Sequence, residues 1–186
     1  MGVFVSIWDK LFRKEDNNFK ILILGLDRAG KTTILEKIQG KMEGEPVPTI
    51  GYNHQKVVMR NVSLDVWDLS GQETMRKIWK HYFVDTGGII FVIDCTDCSR
   101  IELVRDEMNY LLAEPELLEI PILILANKQD IPEAIGVDNL RKSLGIVEEE
   151  HKRPIKIQEA SAIQDEGLDS GFEWLIKILS NEEDDD

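Results

Sequence analysis

The sequence predicts an α/β fold, with about six strands in a mostly parallel sheet, one antiparallel hairpin strand and helices on both faces. Three observations point to it. Runs rich in Ile, Leu and Val recur at Ile21–Leu24, Ile89–Ile93 and Ile122–Leu125, with Gly, Pro, Asn or Asp at their borders, as strands buried on both faces require. Segments whose apolar residues return every three or four positions lie between them, and alternation of strand and helix builds a parallel sheet. Two further runs, Tyr52–Met59 and Val62–Asp68, are joined only through Arg60 and Asn61, too short a link for a crossover, so they pair antiparallel.

Along the chain, Phe4, Ile7, Trp8, Leu11 and Phe12 follow the i, i+3, i+4, i+7, i+8 series of an amphipathic helix, which sets residues 1–17 apart as a membrane or packing helix. Residues 18–180 form one domain. It opens with the strand at Ile21–Leu24, a helix over Thr32–Gln39 and the hairpin. The strand at Ile89–Ile93, a helix over Ile101–Leu112 and the strand at Ile122–Leu125 follow, and a short strand over Ile155–Ala160 and a helix over Leu168–Leu179 complete it. Residues 181–186 are an acidic tail, because the run Glu182–Asp186 repels itself and stays solvated.

Composition narrows the function classes. A chain of 186 residues with 42% hydrophobic and 31% charged residues suits one domain with a sizeable core, and its formal net charge of -13 argues against nucleic-acid binding. Cys95 and Cys98 have C-x-x-C spacing, but a zinc site needs two more ligands, and His54, His81 and His151 are scattered. A packed Cys95 and an exposed Cys98 are expected, in a cytosolic chain. No run is long enough to span a bilayer, and the start lacks the order of a secretory signal, so neither a transmembrane nor a secreted protein is expected.

Directly after the first strand, Gly25-Leu26-Asp27-Arg28-Ala29-Gly30-Lys31-Thr32 fits G-x-x-x-x-G-K-[ST] and runs into a helix. This is the signature of a P-loop NTPase fold. Backbone N–H groups across Asp27, Arg28, Ala29, Gly30 and on through Thr33 can cradle phosphate at the helix N-terminus. Lys31 supplies a cation to the β- and γ-oxygens, and the Thr32 hydroxyl is offered to Mg²⁺.

At the carboxyl end of the strand Ile122–Leu125 stands Asn127-Lys128-Gln129-Asp130, where open α/β sheets bind ligands. The Asp130 carboxylate can accept from guanine N1–H and its exocyclic amine, whereas adenine presents a lone pair there; hydrogen-bonding pockets of this kind discriminate on the order of 10⁴-fold. Lys128 can lie along the base, and Asn127 can tie this loop to its neighbours. Ser161 and Ala162 follow the last strand, and the Ala162 N–H can reach guanine O6.

Two more segments complete the constellation. In Pro48-Thr49-Ile50-Gly51-Tyr52-Asn53 the Thr49 hydroxyl can join Mg²⁺ when a γ-phosphate is present. In Trp67-Asp68-Leu69-Ser70-Gly71-Gln72-Glu73, Asp68 can hold a Mg²⁺-bound water, the Gly71 N–H can meet the γ-phosphate and Gln72 can orient the attacking water. Gln72 and Lys31 are therefore the expected catalytic residues.

The GLDxAGKT, PTIGxN, WDxxGQ, HYF (His81–Phe83) and NKQD segments, in this order across nearly the whole chain, resemble the Arf and Arf-like family of small P-loop GTPases. The resemblance implies the same roles for Lys31, Thr32, Thr49, Asp68, Gly71, Gln72, Asn127, Lys128, Asp130 and Ala162, with GTP or GDP and Mg²⁺ as ligands. It also implies a guanine nucleotide exchange factor, a GTPase-activating protein that supplies an arginine finger, and effectors, with a monomeric GTPase cycling between its two nucleotide forms. Three residues depart from the family pattern: Arg28 replaces Ala, Ser70 replaces the first of two glycines, and Glu73 replaces Asp. Ser70 leaves open an alternative, a GTP-locked scaffold that hydrolyses poorly, because an added Cβ restricts the backbone at the γ-phosphate sensor.

Met1-Gly2-Val3-Phe4-Val5-Ser6 satisfies the pattern for N-myristoylation of Gly2. One acyl chain binds membranes marginally, so the amphipathic helix behind it, with Lys10, Arg13 and Lys14 close by, is the second signal required. The expected location is cytoplasmic with reversible membrane association, at the Golgi or another endomembrane by resemblance, in a vesicle-trafficking type of role. On the hairpin, Val62, Leu64 and Val66 face one way and Ser63, Asp65 and Trp67 the other, which puts Trp67 on a polar face, either exposed as a partner surface or buried under the N-terminal helix in one state. The resemblance groups it with Tyr52 and Tyr82 as an effector surface.

Overall fold

The computed structural model describes residues 17–38, 51–59, 62–146 and 152–181. The elements are β1 (Asn17–Leu24), α1 (Lys31–Ile38), β2 (Tyr52–Met59), β3 (Val62–Leu69), α2 (Glu73–Arg76), β4 (Thr86–Asp94), α3 (Ile101–Ala113), β5 (Ile122–Asn127), α4 (Val137–Leu144), β6 (Ile155–Glu159) and α5 (Leu168–Ser180). The six strands lie in the order β2-β3-β1-β4-β5-β6, parallel except for the β2–β3 hairpin. Among the described residues no helix is long and apolar enough to cross a membrane. The amphipathic segment up to Asp16, Gly2 within it, Thr49 and the acids from Glu182 onward lie outside the described residues.

The central strands are apolar throughout because each face meets its own helical layer. Leu22 and Leu24 of β1, Ile89, Phe91 and Ile93 of β4, and Ile122 and Ile124 of β5 pack on one side with Val104, Met108 and Leu111 of α3 and Leu140 and Leu144 of α4. The alternate residues Ile21, Ile23, Ile90, Val92, Leu123 and Leu125 pack on the other with Ile34 and Leu35 of α1 and Phe172, Leu175 and Ile176 of α5. This period-two division is strand geometry read directly from sequence. It holds the sheet rigid while its carboxyl edge carries loops.

One sequence expectation is corrected here and one element is added. Trp67 is not exposed: it is partly buried and packs against the first of these cores, and Ser63 on the same face is buried too. The reason is that the rings of Tyr82, Tyr52 and His54 lie against Trp67 on that face, with centroids 5.6, 5.3 and 4.3 Å from it. The helix α4 is an addition to the expected elements, held by Leu140 and Leu144 and closed by Gly145 in the left-handed conformation at φ 66°. Cys95 is buried and Cys98 exposed, as the sequence suggests, and burial pushes the Cys95 thiol up to about 12.

Candidate functional site

The carboxyl ends of β1, β3, β4, β5 and β6 deliver the site. The turn after β1 alternates hands: Arg28 is at φ 64° and Gly30 at φ 95°, the backbone habit that turns successive N–H groups toward an anion. Gly30 has a second constraint, because a Cβ there would lie 2.4 Å from the Asn127 side-chain nitrogen. Lys31 begins α1 buried, its Nζ donating to the carbonyls of Gly25 at 3.1 Å and Leu26 at 2.8 Å. Burial pulls its ammonium down to about 8, against the upward pull of Asp68 and Asp27. The ammonium form still predominates at neutral pH, and an anion beside it favours that charged form further. Thr33 lies buried in the first turn of α1.

At the end of β3, Asp68 is fully buried and its Oδ2 accepts from the Thr32 hydroxyl at 2.7 Å. A hydroxyl and a buried carboxylate, side by side next to the phosphate loop, are hard oxygen donors that fit Mg²⁺. Beyond them Ser70 is buried: its N–H donates to Gly51 O at 3.0 Å, its carbonyl accepts from Trp79 Nε1 at 3.2 Å, and its Oγ accepts from the Gln72 N–H at 3.4 Å. Gln72 is exposed at the N-terminus of α2, and Arg76 of that helix donates to Gly71 O at 3.0 Å while pairing with Glu107 of α3 at 2.7 Å.

On the base side Asn127, only 1% exposed, joins three loops: its Nδ2 donates to Ala29 O at 2.8 Å and its Oδ1 accepts the Ala162 N–H at 3.0 Å. The Ala162 N–H expected to reach guanine O6 thus already serves Asn127. Lys128, at φ 70°, reaches Asp94 Oδ2 at 2.5 Å. Burial works upward on the Asp94 carboxyl, but bonds from Lys128 and Thr96 together hold it below its usual range. Asp130 Oδ1 accepts from the Ser161 hydroxyl at 2.6 Å, which aims the carboxylate while leaving its second oxygen available to a base.

Tyr52, Trp67 and Tyr82 converge, with ring centroids 5.3 to 5.7 Å apart, and His54 stacks on Trp67 at 4.3 Å. Lys20 Nζ lies 5.8 Å above the Trp67 ring and donates to the carbonyls of Tyr82 and Val84. Sequence reasoning missed Arg100, Arg76 and Asp94. Only Asp97–Arg100, an i,i+3 pair, carried a local signal. A groove of about 470 Å³ between the start of α4 and β6 is a poor phosphate site, because Asp138 and Glu159 are the charged residues in its lining.

A model of the ADP-ribosylation factor family matches residues 4–179. The chain is 41% identical over 182 residues to ADP-ribosylation factor-like protein 1 of Saccharomyces cerevisiae, covering 98% of each chain. Its fold is similar to that of the Arl6 (BBS3) small GTPase of Trypanosoma brucei, solved with the bound nucleotide analogue GppNp: TM-score 0.82, 26% identity, 90% of this chain and 100% of that one.

Proposed function

The chain belongs to the ADP-ribosylation factor family of small GTPases, and from that premise we propose that it is a regulatory switch that binds GTP and GDP with Mg²⁺, hydrolyses GTP slowly unless stimulated, and recruits partners to membranes. The observation that carries this reading is Asn127, which ties the phosphate loop at Ala29 to the base loop at Ala162 and so makes one nucleotide-sized site out of distant segments.

In this reading Asp130, aimed by Ser161, selects guanine through N1–H and the exocyclic amine, and Lys128 lies along the base. Lys31 and the N–H groups of residues 27–33 hold the phosphates. Mg²⁺ would be held by the hydroxyls of Thr32 and Thr49 and through water by Asp68, and when bound it neutralises charge on the phosphate oxygens. Gln72 orients the attacking water, and a partner's arginine finger supplies the charge that this chain's loop, with an acid at Asp27, does not. The second reading, a GTP-locked scaffold, draws on Ser70, whose three bonds stiffen the backbone next to Gly71. Single-turnover hydrolysis separates the two: turnover that falls about tenfold in Gln72→Leu supports the switch. A wild type as inert as the variant, with no partner able to stimulate it, supports the scaffold.

Membrane association follows from Gly2 and the amphipathic segment behind it, acting together in a monomer that is otherwise cytoplasmic and visits the Golgi or another endomembrane. Exchange factor, activating protein and effectors are the partners, with Tyr52, Trp67 and Tyr82 as the effector surface. Co-sedimentation of myristoylated protein with liposomes is the check. Pelleting with a non-hydrolysable GTP analogue but not with GDP, lost in Gly2→Ala, is the expected result; equal pelleting in both states contradicts the coupling of membrane to nucleotide.

A further inference from the structure

Asp27 stands inside a loop built to hold phosphate, an uncomfortable place for a carboxylate. The structure shows what offsets it. Arg100, in the 3₁₀ turn Cys98–Arg100 that leads into α3, reaches across 73 positions of sequence: Nη1 donates to Asp27 Oδ1 at 2.8 Å and Nη2 to the Asp27 carbonyl at 3.2 Å. Its Nε donates at 2.6 Å to Asp97 Oδ2, which holds the guanidinium in place from behind. Bonds from one planar fork to three acceptors fix direction as well as charge, which a lysine cannot imitate.

Two consequences follow for the loop. The Asp27 carbonyl is pinned toward Arg100, and because a trans peptide aims its C=O and N–H in opposite directions, the Arg28 N–H is turned away from Arg100. Arg28 then adopts φ 64°, the left-handed step that begins the alternating backbone of the cradle. The Asp27 carboxylate is also neutralised. Both Asp27 and Arg100 are close enough to act on the Lys31 charge, in opposite senses, so the pair lies within electrostatic range of the phosphate-binding cation. Arg100 is 29% exposed and Asp27 38%, so water weakens the pair but does not replace its geometry.

We propose that Arg100 is a positioning residue of the phosphate loop: it shields the Asp27 carboxylate and pins the Asp27 peptide, and so slows nucleotide release. This rests on reading the loop as a guanine-nucleotide site. The test measures dissociation of a fluorescent GDP analogue, chased with excess GDP and Mg²⁺, from wild type, Arg100→Gln, Asp27→Asn and the double variant. Arg100→Gln is expected to release nucleotide about tenfold faster, the size of one charged hydrogen-bonded contact. Removing the exposed acid in the double variant should recover most of this, to within about threefold of wild type, a rescue that a merely structural role for Arg100 would not give. If Arg100→Gln does not fold, Arg100→Lys is compared instead and should be about threefold faster than wild type, since one ammonium cannot span the three acceptors. Release within twofold of wild type in the variant, or a double variant as fast as Arg100→Gln alone, overturns the inference. A wild type that takes up no GDP analogue at all overturns the nucleotide-site reading instead, and this inference with it.

Discussion

At Gly71 the backbone of the segment after β3, the proposed γ-phosphate sensor, touches the turn after β1: a Cβ added there would lie 2.2 Å from the Leu26 carbonyl carbon, 2.3 Å from Asp27 N and 2.3 Å from Gly25 O. These are backbone atoms, so no side chain can swing aside. Gly71→Ala must therefore push the sensor off the loop, and it should cost about 2 kcal/mol as an overpacked contact. For a chain of this length that is a fall in Tm of roughly 4–8 °C, measurable by thermal unfolding without nucleotide. An unchanged Tm would mean that the sensor and the loop do not touch in solution. Lys31 makes a complementary point about single residues. Its Nζ donates to two loop carbonyls, which hold the cation buried and aimed within the loop.

Elements differ in how plainly sequence marks them, and the difference is physical. The cores of β1, β4 and β5 are visible as apolar runs because both faces of a central parallel strand are covered. The β2–β3 hairpin is visible because Arg60 and Asn61 are too few for any other connection. By contrast α4 has only Val137, Leu140 and Leu144 on its inner side, a faint pattern in eight residues, although Gly136 before it and Gly145 after it mark its ends. Trp67 shows the opposite failure. Alternation along β3 assigns it to a polar face, but the helical and 3₁₀ segment after Gln72 brings Tyr82 over that face and covers it. The motif residues Lys31, Thr32, Asp68, Asn127 and Asp130 are legible because nucleotide chemistry fixes their types and spacings. Arg100 and Arg76 are not. Arg100 closes on Asp27 and Arg76 on Glu107, contacts that exist only once β1, β3 and α3 have been brought together.

For the whole molecule, the sheet's two covered faces hold a rigid platform, and the loops at one edge are cross-tied by polar contacts between segments far apart in sequence: Thr32 to Asp68, Asn127 to Ala29 and Ala162, Lys128 to Asp94, Ser161 to Asp130. On the proposed reading, phosphate and base recognition are therefore mechanically one unit, and a ligand that satisfies only the phosphate half would leave the Asp130 carboxylate without the donors it is aimed at. The choice of base is then the property on which everything else depends. Calorimetric titration of nucleotide-free protein with GDP and, separately, ADP, both with Mg²⁺, measures it. One GDP per chain, bound on the order of 10⁴-fold more tightly than ADP, is the expected result; ADP bound as tightly as GDP, or no GDP bound, would contradict a guanine-nucleotide switch.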